Sequence, residues 1–140
     1  MSDEHATPVL FRGVILGIPR DAFDKLNRTY EQLKDKEKIF ISEAHWGDAE
    51  GGRLVLDFTL RRDDSYGVAH LERDFFQGIA DAISNDGYGL LLFVGEKITD
   101  LAFIFFGRGV YEWRPLRSEA PSWWSRERMN PADWEKLFEF

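Results

Sequence analysis

The chain has 140 residues, of which 44% are hydrophobic and 15% aromatic, and it contains no cysteine. This length and composition predict one globular domain spanning residues 1–140, because the chain can bury a core without disulfides or metal, and they exclude a chain that is disordered as a whole. The lack of cysteine excludes thiol nucleophiles, cysteine-based zinc sites, iron–sulfur clusters and disulfide scaffolds, and it fits a cytoplasmic location.

The formal net charge is −7 and is distributed unevenly. Residues 108–128 contain five arginines and three glutamates, a net charge of +2, which leaves −9 for the rest of the chain. A mostly acidic surface disfavours non-specific binding to nucleic acid and favours a basic protein as partner. The simpler alternative is that the acidity only keeps the protein soluble.

The N-terminal third predicts a strand, a helix and a hairpin. Residues 9–18 form the first strand, with a break or bulge at Arg12 and Gly13, and neither a secretory signal nor a membrane span is expected in this interrupted apolar stretch. Residues 1–7 are expected to be flexible. Pro19 suits the first turn of a helix whose apolar stripe follows at spacings of three and four residues. Residues 39–46 and 53–61 are predicted to form a hairpin around a loop rich in turn formers, and the second strand alternates between an apolar face and a mostly polar one.

A second helix is predicted to run to about Ser84, where Asn85, Asp86 and Gly87 stop it. Residues 90–94 and 101–106 are apolar at almost every position, which is typical of strands covered on both faces, and residues 110–113 follow a turn. After an irregular segment, Asn130 is expected to cap a short C-terminal helix that has Asp133 at a capping-box position.

These elements predict an α+β fold in the order β-α-β-β-α-β-β-β-α. We expect an antiparallel-rich sheet with the two main helices packed on one face. The first six elements match the ferredoxin-like arrangement. The final hairpin and the last helix are expected to extend the sheet or cap its edge.

Glu43 and His45 are the most specific candidates for a catalytic or metal-binding pair. Because they alternate along a strand, they should leave the same face just before a loop that carries Asp48 and Glu50. A histidine beside carboxylates can act as a general base or bind a metal, but a solvated strand end is the simpler explanation. The sequence contains no phosphate-binding loop, hydrolase elbow or zincin motif, so we assign no catalytic residue, metal or cofactor.

The segment from residue 111 to residue 124 contains four aromatic residues with two arginines between them: Tyr111, Trp113, Arg114, Arg117, Trp123 and Trp124. The favoured interpretation is the rim of the core, followed by a protein interface. Since neighbouring tryptophans cannot both be buried in one direction, at least one of Trp123 and Trp124 should lie at the surface.

Together these features predict a non-enzymatic, acidic protein-binding module, with the general character of an inhibitor or immunity-type protein that neutralises a more basic partner. The alternative is an enzyme or small-ligand binder with a pocket walled by the Glu43/His45 face and the Trp-rich segment, and nucleic-acid binding through Arg114 and Arg117 is the weakest hypothesis. The predicted partner-binding residues are Glu43, His45, Trp46, Asp48, Glu50, Asp63, Asp64, Trp113, Arg114, Trp123 and Trp124.

Overall fold

A computed structural model describes residues 7–34, 40–46, 52–62, 71–84, 86–95 and 101–139. The α+β class and the predicted order of the main elements are confirmed. In chain order the elements are β1 (Thr7–Leu16), α1 (Arg20–Lys34), β2 (Phe40–Trp46), β3 (Arg53–Arg62), a π-helix (Leu71–Phe76) continued by α2 (Gln77–Ala82), β4 (Tyr88–Val94), β5 (Leu101–Gly107), β6 (Val110–Pro115), a 3-10 turn (Arg126–Arg128) and α3 (Pro131–Lys136).

The described strands form one sheet in the order β2-β3-β1-β4-β5-β6. Every neighbouring pair is antiparallel. The hairpin of β5 and β6 therefore extends the sheet, as predicted, and β2 and β6 are its two edges. The ferredoxin-like arrangement of the first six elements stays a prediction.

The two main helices cover one face of the sheet, which we call the helical face. The apolar stripe of α1 contributes Phe23, Leu26 and Tyr30 to a buried cluster with residues of the π-helix and α2. These side chains pack on alternate residues of β1, β3, β4 and β5, including Phe11 and Leu91. The period-four helical patterns and the strand alternation in the sequence thus meet on one surface.

The opposite face, which we call the C-terminal face, is covered by the chain after β6. Leu90, Leu92 and Phe105 are buried there beneath Trp124 and other apolar residues from this segment, together with Leu137 at the end of α3. This second layer explains why β4 and β5 are apolar at consecutive positions. It also differs from the expectation for the last helix, because α3 lies across this face and does not cap an edge.

β1 contains no bulge at Arg12 and Gly13, contrary to the sequence-based expectation. Its pairing is continuous with β3 from Thr7 to Leu16 and with β4 from Leu10 to Leu16. Gly13 is required for a different reason: a β-carbon at this position would overlap the backbone of Leu90 and Leu91 in the neighbouring strand. The glycine therefore permits a close approach of strands and does not interrupt them.

The cap of α3 is partly as predicted. The Asn130 side chain accepts a hydrogen bond from the Ala132 backbone N–H at 2.8 Å, and Pro131 occupies the first turn. Asp133 directs its carboxylate to Arg53 of β3, so it contributes to a tertiary contact where the sequence predicted a local capping box.

Candidate functional site

The sheet separates the predicted partner-binding residues into two groups at opposite edges. Glu43, His45 and Trp46 belong to β2, whereas Trp113 and Arg114 belong to β6. Five strand-to-strand steps lie between these edges, about 24 Å at the usual spacing. The two groups therefore do not form the walls of one pocket, and the predicted site has to be considered as two separate surfaces.

At the β2 edge, the backbone departs from regular pairing where the candidate pair lies. Ser42 pairs with Thr59 and His45 with Asp57, so three steps along β2 match two along β3 and one extra residue is accommodated between them. The prediction that Glu43 and His45 share one face relied on regular alternation, which this bulge interrupts. The side chains of Glu43, His45 and Trp46 lie outside the described part, as do residues Asp48, Glu50, Asp63 and Asp64, so their roles stay predictions.

The tandem tryptophans occupy different environments, as the sequence predicts. Trp124 is buried on the C-terminal face, where its indole Nε1 donates a hydrogen bond to the Gly89 carbonyl at 2.9 Å and its ring lies 4.9 Å from that of Phe105. Trp123 is 39% exposed. This burial removes Trp124 from the set of residues that a partner could contact directly.

Trp113 and Arg114 point to opposite faces of β6. The Trp113 ring is half-buried on the helical face, 5.2 Å from Phe93, and within the described residues its buried Nε1 has no hydrogen-bond acceptor. Arg114 forms an ion pair with Glu112 two positions earlier on the same strand. The Trp-rich segment thus contributes to both layers of the core, while β6 retains a charged pair at the edge of the sheet.

A cavity that the sequence did not reveal lies between α3 and strands β1 and β3. Its volume is about 210 Å³, and its polar lining comprises Arg12, Arg53, Asp57, Asp133, Lys136 and Glu139. Arg12 forms an ion pair with Asp57 at 3.3 Å, and Arg53 forms one with the buried Asp133. Arg12 also donates a hydrogen bond to the backbone carbonyl of Glu139.

These contacts identify the cavity as a junction that attaches the C-terminal segment to the sheet. Its three basic and three acidic side chains balance in charge, and the volume is below the roughly 300–1,000 Å³ typical of small-ligand sites. The sequence feature that could have indicated this junction was Arg12, a charged residue within an apolar strand. Its partners lie far away along the chain, so no local pattern connected them.

We expect Arg53→Met to lower the free energy of unfolding by about 2 kcal/mol. The Asp133 carboxylate is only 9% exposed and would lose its cationic partner, while the 41% exposure of the Arg53 side chain moderates the cost. Urea unfolding measures the change, with Arg117→Met at an exposed position as the matched control. Equal stabilities of the two variants would show that this ion pair does not stabilise the fold.

Tyr88 anchors the 3-10 turn to the start of β4. Its hydroxyl donates to the Arg128 carbonyl, and the Arg128 guanidinium lies 4.4 Å from the centre of the Tyr88 ring. Burial raises the pKa of the Tyr88 hydroxyl above its ordinary value, with Arg128 opposing the shift and Asp133 adding to it. A phenol is protonated at neutral pH even at its ordinary pKa, and the upward direction of this shift favours the same form, so the Tyr88 hydroxyl serves as a hydrogen-bond donor in the core.

Within the described ranges, no group of three or more histidine, aspartate or glutamate side chains is arranged to hold a metal ion. No helix in this part of the chain is both long and apolar enough to cross a membrane. Comparison of the chain with protein-family models, curated proteins and solved structures finds no match.

Proposed function

We propose that this protein is a non-enzymatic binding module that neutralises a more basic protein, as an inhibitor or immunity-type protein, by binding it along the edge strand β2. The observation that carries the proposal is the coincidence of a sheet edge with an acidic sequence. Residues 40–52 contain Glu43, Asp48 and Glu50 and no lysine or arginine. The absence of cysteine fits a cytoplasmic setting for the interaction.

The pairing of β2 defines which of its backbone groups face outward. The Gly17 N–H bonds to the Gly52 carbonyl at the end of the β1–β3 ladder, so by alternation Asp57, Thr59 and Arg61 direct their backbone groups toward β2. Their partners Phe40, Ser42 and His45 therefore bond to β3, whereas the backbone N–H and carbonyl of Ile41 face the sheet edge. An extended segment of a partner could add to the sheet there.

The uneven charge orients such a partner. Residues 108–128, with a net charge of +2, include β6 at the far edge of the sheet. Residues 40–52 carry −3 of the −9 on the rest of the chain. A basic protein is attracted by this stretch and repelled by the β6 side, so the β2 edge is the favoured side of approach. Electrostatic complementarity of this kind accelerates association and makes it sensitive to salt.

The test begins with capture of partners from a lysate of the source organism at low salt. We expect one basic protein to be retained stoichiometrically and released by high salt. Its association rate is then measured with two charge-matched triple variants. Neutralising the β2 side is expected to slow association about tenfold or more, and neutralising α1 much less. The first variant carries Glu43→Gln, Asp48→Asn and Glu50→Gln, and the second carries Asp21→Asn, Asp24→Asn and Glu31→Gln at exposed positions of α1.

Ile41→Pro tests the backbone contact separately from charge. Proline removes an N–H that faces outward and leaves the β2–β3 hydrogen bonds in place, so we expect weaker partner binding with little change in thermal stability. If no stoichiometric basic protein is captured, or if both triple variants bind equally well, the β2 edge is not the binding surface.

A further inference from the structure

The second sheet edge, β6, has an order of side chains that is complementary to itself. In the described residues no strand lies beyond β6. Glu112 and Arg114 lie two positions apart on the C-terminal face, with side chains 36% and 38% exposed. Val110 precedes them on this face and is itself 38% exposed, and Leu116 follows them. Read along the strand, this face is apolar, acidic, basic and apolar.

The hydrogen-bond pattern of β6 establishes which backbone groups are directed outward. The Leu116 N–H bonds to the Leu101 carbonyl, and the β5–β6 register pairs Phe103 with Arg114 and Phe105 with Glu112. By alternation, the backbone groups of Arg114 and Glu112 point toward β5, and those of Trp113 between them point toward the sheet edge. Trp113 is therefore the central position of the edge that a new strand would meet.

We infer that β6 binds β6 of a second copy of this chain, antiparallel about a twofold axis at Trp113. Trp113 then exchanges two N–H···O bonds with Trp113 of the partner subunit and joins the two sheets, while Pro115, which has no N–H, accepts a bond from the partner's Tyr111 but returns none. Glu112 lies opposite Arg114 of the partner subunit, and Arg114 lies opposite the partner's Glu112. Val110 lies opposite the partner's Leu116, so every position on the C-terminal face meets a complementary one.

Neighbouring registers are disfavoured by charge. If the helical faces of the two sheets lie on the same side, the twofold axis has to pass through a residue of β6. The nearest alternative registers therefore have the axis at Glu112 or at Arg114. An axis at Glu112 places that carboxylate opposite the partner's Glu112, and an axis at Arg114 places two guanidinium groups opposite each other. Like charges directly opposite destabilise a strand pair, whereas the axis at Trp113 creates two opposite-charge pairs. The charges therefore favour the axis at Trp113 over both neighbouring registers.

Exposed apolar surface lies beside this edge. Of the large hydrophobic residues in the described ranges, three are conspicuously exposed, and Val110 and Trp123 are two of them. Both adjoin Gly107, where a β-carbon would lie 2.9 Å from the Trp123 ring and 3.3 Å from Val110 Cγ1. A second copy would cover this patch from its Leu116 side, which supplies an apolar contribution beside the charged pairs.

The test is the mass of the purified protein in sedimentation equilibrium, and it does not depend on the proposed β2 partner. We expect a concentration-dependent shift from 16.3 kDa to twice that mass. Glu112→Arg alone and Arg114→Glu alone should each remain monomeric, because each places like charges opposite each other. An equimolar mixture of these two variants should recover the doubled mass, since one chain then supplies only arginines and the other only glutamates.

The double variant with both Glu112→Arg and Arg114→Glu provides the matched control. It reverses the two charges and should form a dimer with itself as the native chain does. Recovery in the mixture also shows that the single variants are folded. A native protein that stays monomeric at high concentration, or single variants that form dimers as well as the native chain does, would overturn the proposal.

Discussion

Trp124→Ala is expected to lower the free energy of unfolding by about 3–5 kcal/mol, the usual cost of removing a large buried aromatic side chain. The Trp124 ring lies between Phe105 of β5 and Tyr88 of β4, and its indole N–H bonds to Gly89. It is therefore one of the buried contacts that hold the segment after β6 on the C-terminal face. Its loss should also open the apolar cluster that Trp124 shares with Leu90 and Leu92.

Trp123→Ala is the matched control, because it removes the same side chain one position earlier in the chain. Trp123 is 39% exposed, so its removal should cost the monomer about 1 kcal/mol or less. Chemical unfolding followed by far-ultraviolet circular dichroism measures both variants without depending on tryptophan fluorescence. Similar losses for the two variants would contradict the assignment of Trp124 as the buried anchor.

Gly13→Val is expected to prevent stable folding or to lower the free energy of unfolding by at least about 3 kcal/mol. Gly13 lies at the centre of the sheet, paired with Leu56 of β3 and Leu91 of β4. Any β-carbon there overlaps backbone atoms of β4, which cannot move aside as a flexible side chain can. Overpacking that displaces backbone is at the costly end of core substitutions.

Gly109→Ala tests whether loss of a glycine is sufficient for this effect. Gly109 is in the β5–β6 turn with a φ of 72°, and a β-carbon there meets no atom within 4 Å. The cost should be limited to the left-handed backbone conformation, about 1–2 kcal/mol. Thermal unfolding of both variants gives the comparison, and a Gly13→Val protein as stable as Gly109→Ala would show that the strands can separate without penalty.

Local patterns in the sequence were sufficient to identify the elements themselves. The stripe through Phe23, Leu26 and Tyr30 predicted the buried side of α1, and the consecutive apolar residues of β4 predicted a strand covered on both faces. The alternation in residues 53–61, which puts Leu54 and Leu56 on one face, predicted the buried side of β3. Such predictions succeed because the periods of helices and strands relate a side chain to its nearest neighbours along the chain.

Contacts between distant residues could not be predicted in this way. Arg12 was interpreted as part of a bulge, but in the structure it pairs with Asp57 and bonds to the C-terminal segment. Asp133 was interpreted as a helix cap, but it pairs with Arg53 from β3. In each case a charged side chain has several plausible local roles, and only the arrangement of the strands determines which partner is near.

The candidate binding residues show the same difference between what local patterns predict and what long-range contacts determine. The sequence alone determined their chemistry: an acidic stretch at residues 40–52, a basic stretch at residues 108–128, and tandem tryptophans that could not both be buried in the same direction. Only the tertiary structure decided that β2 and β6 are opposite edges and that Trp124 is the buried member of the pair. The reason is that charge and hydrophobicity belong to individual residues, whereas strand order depends on long-range pairings that the alternating pattern of any one strand does not specify.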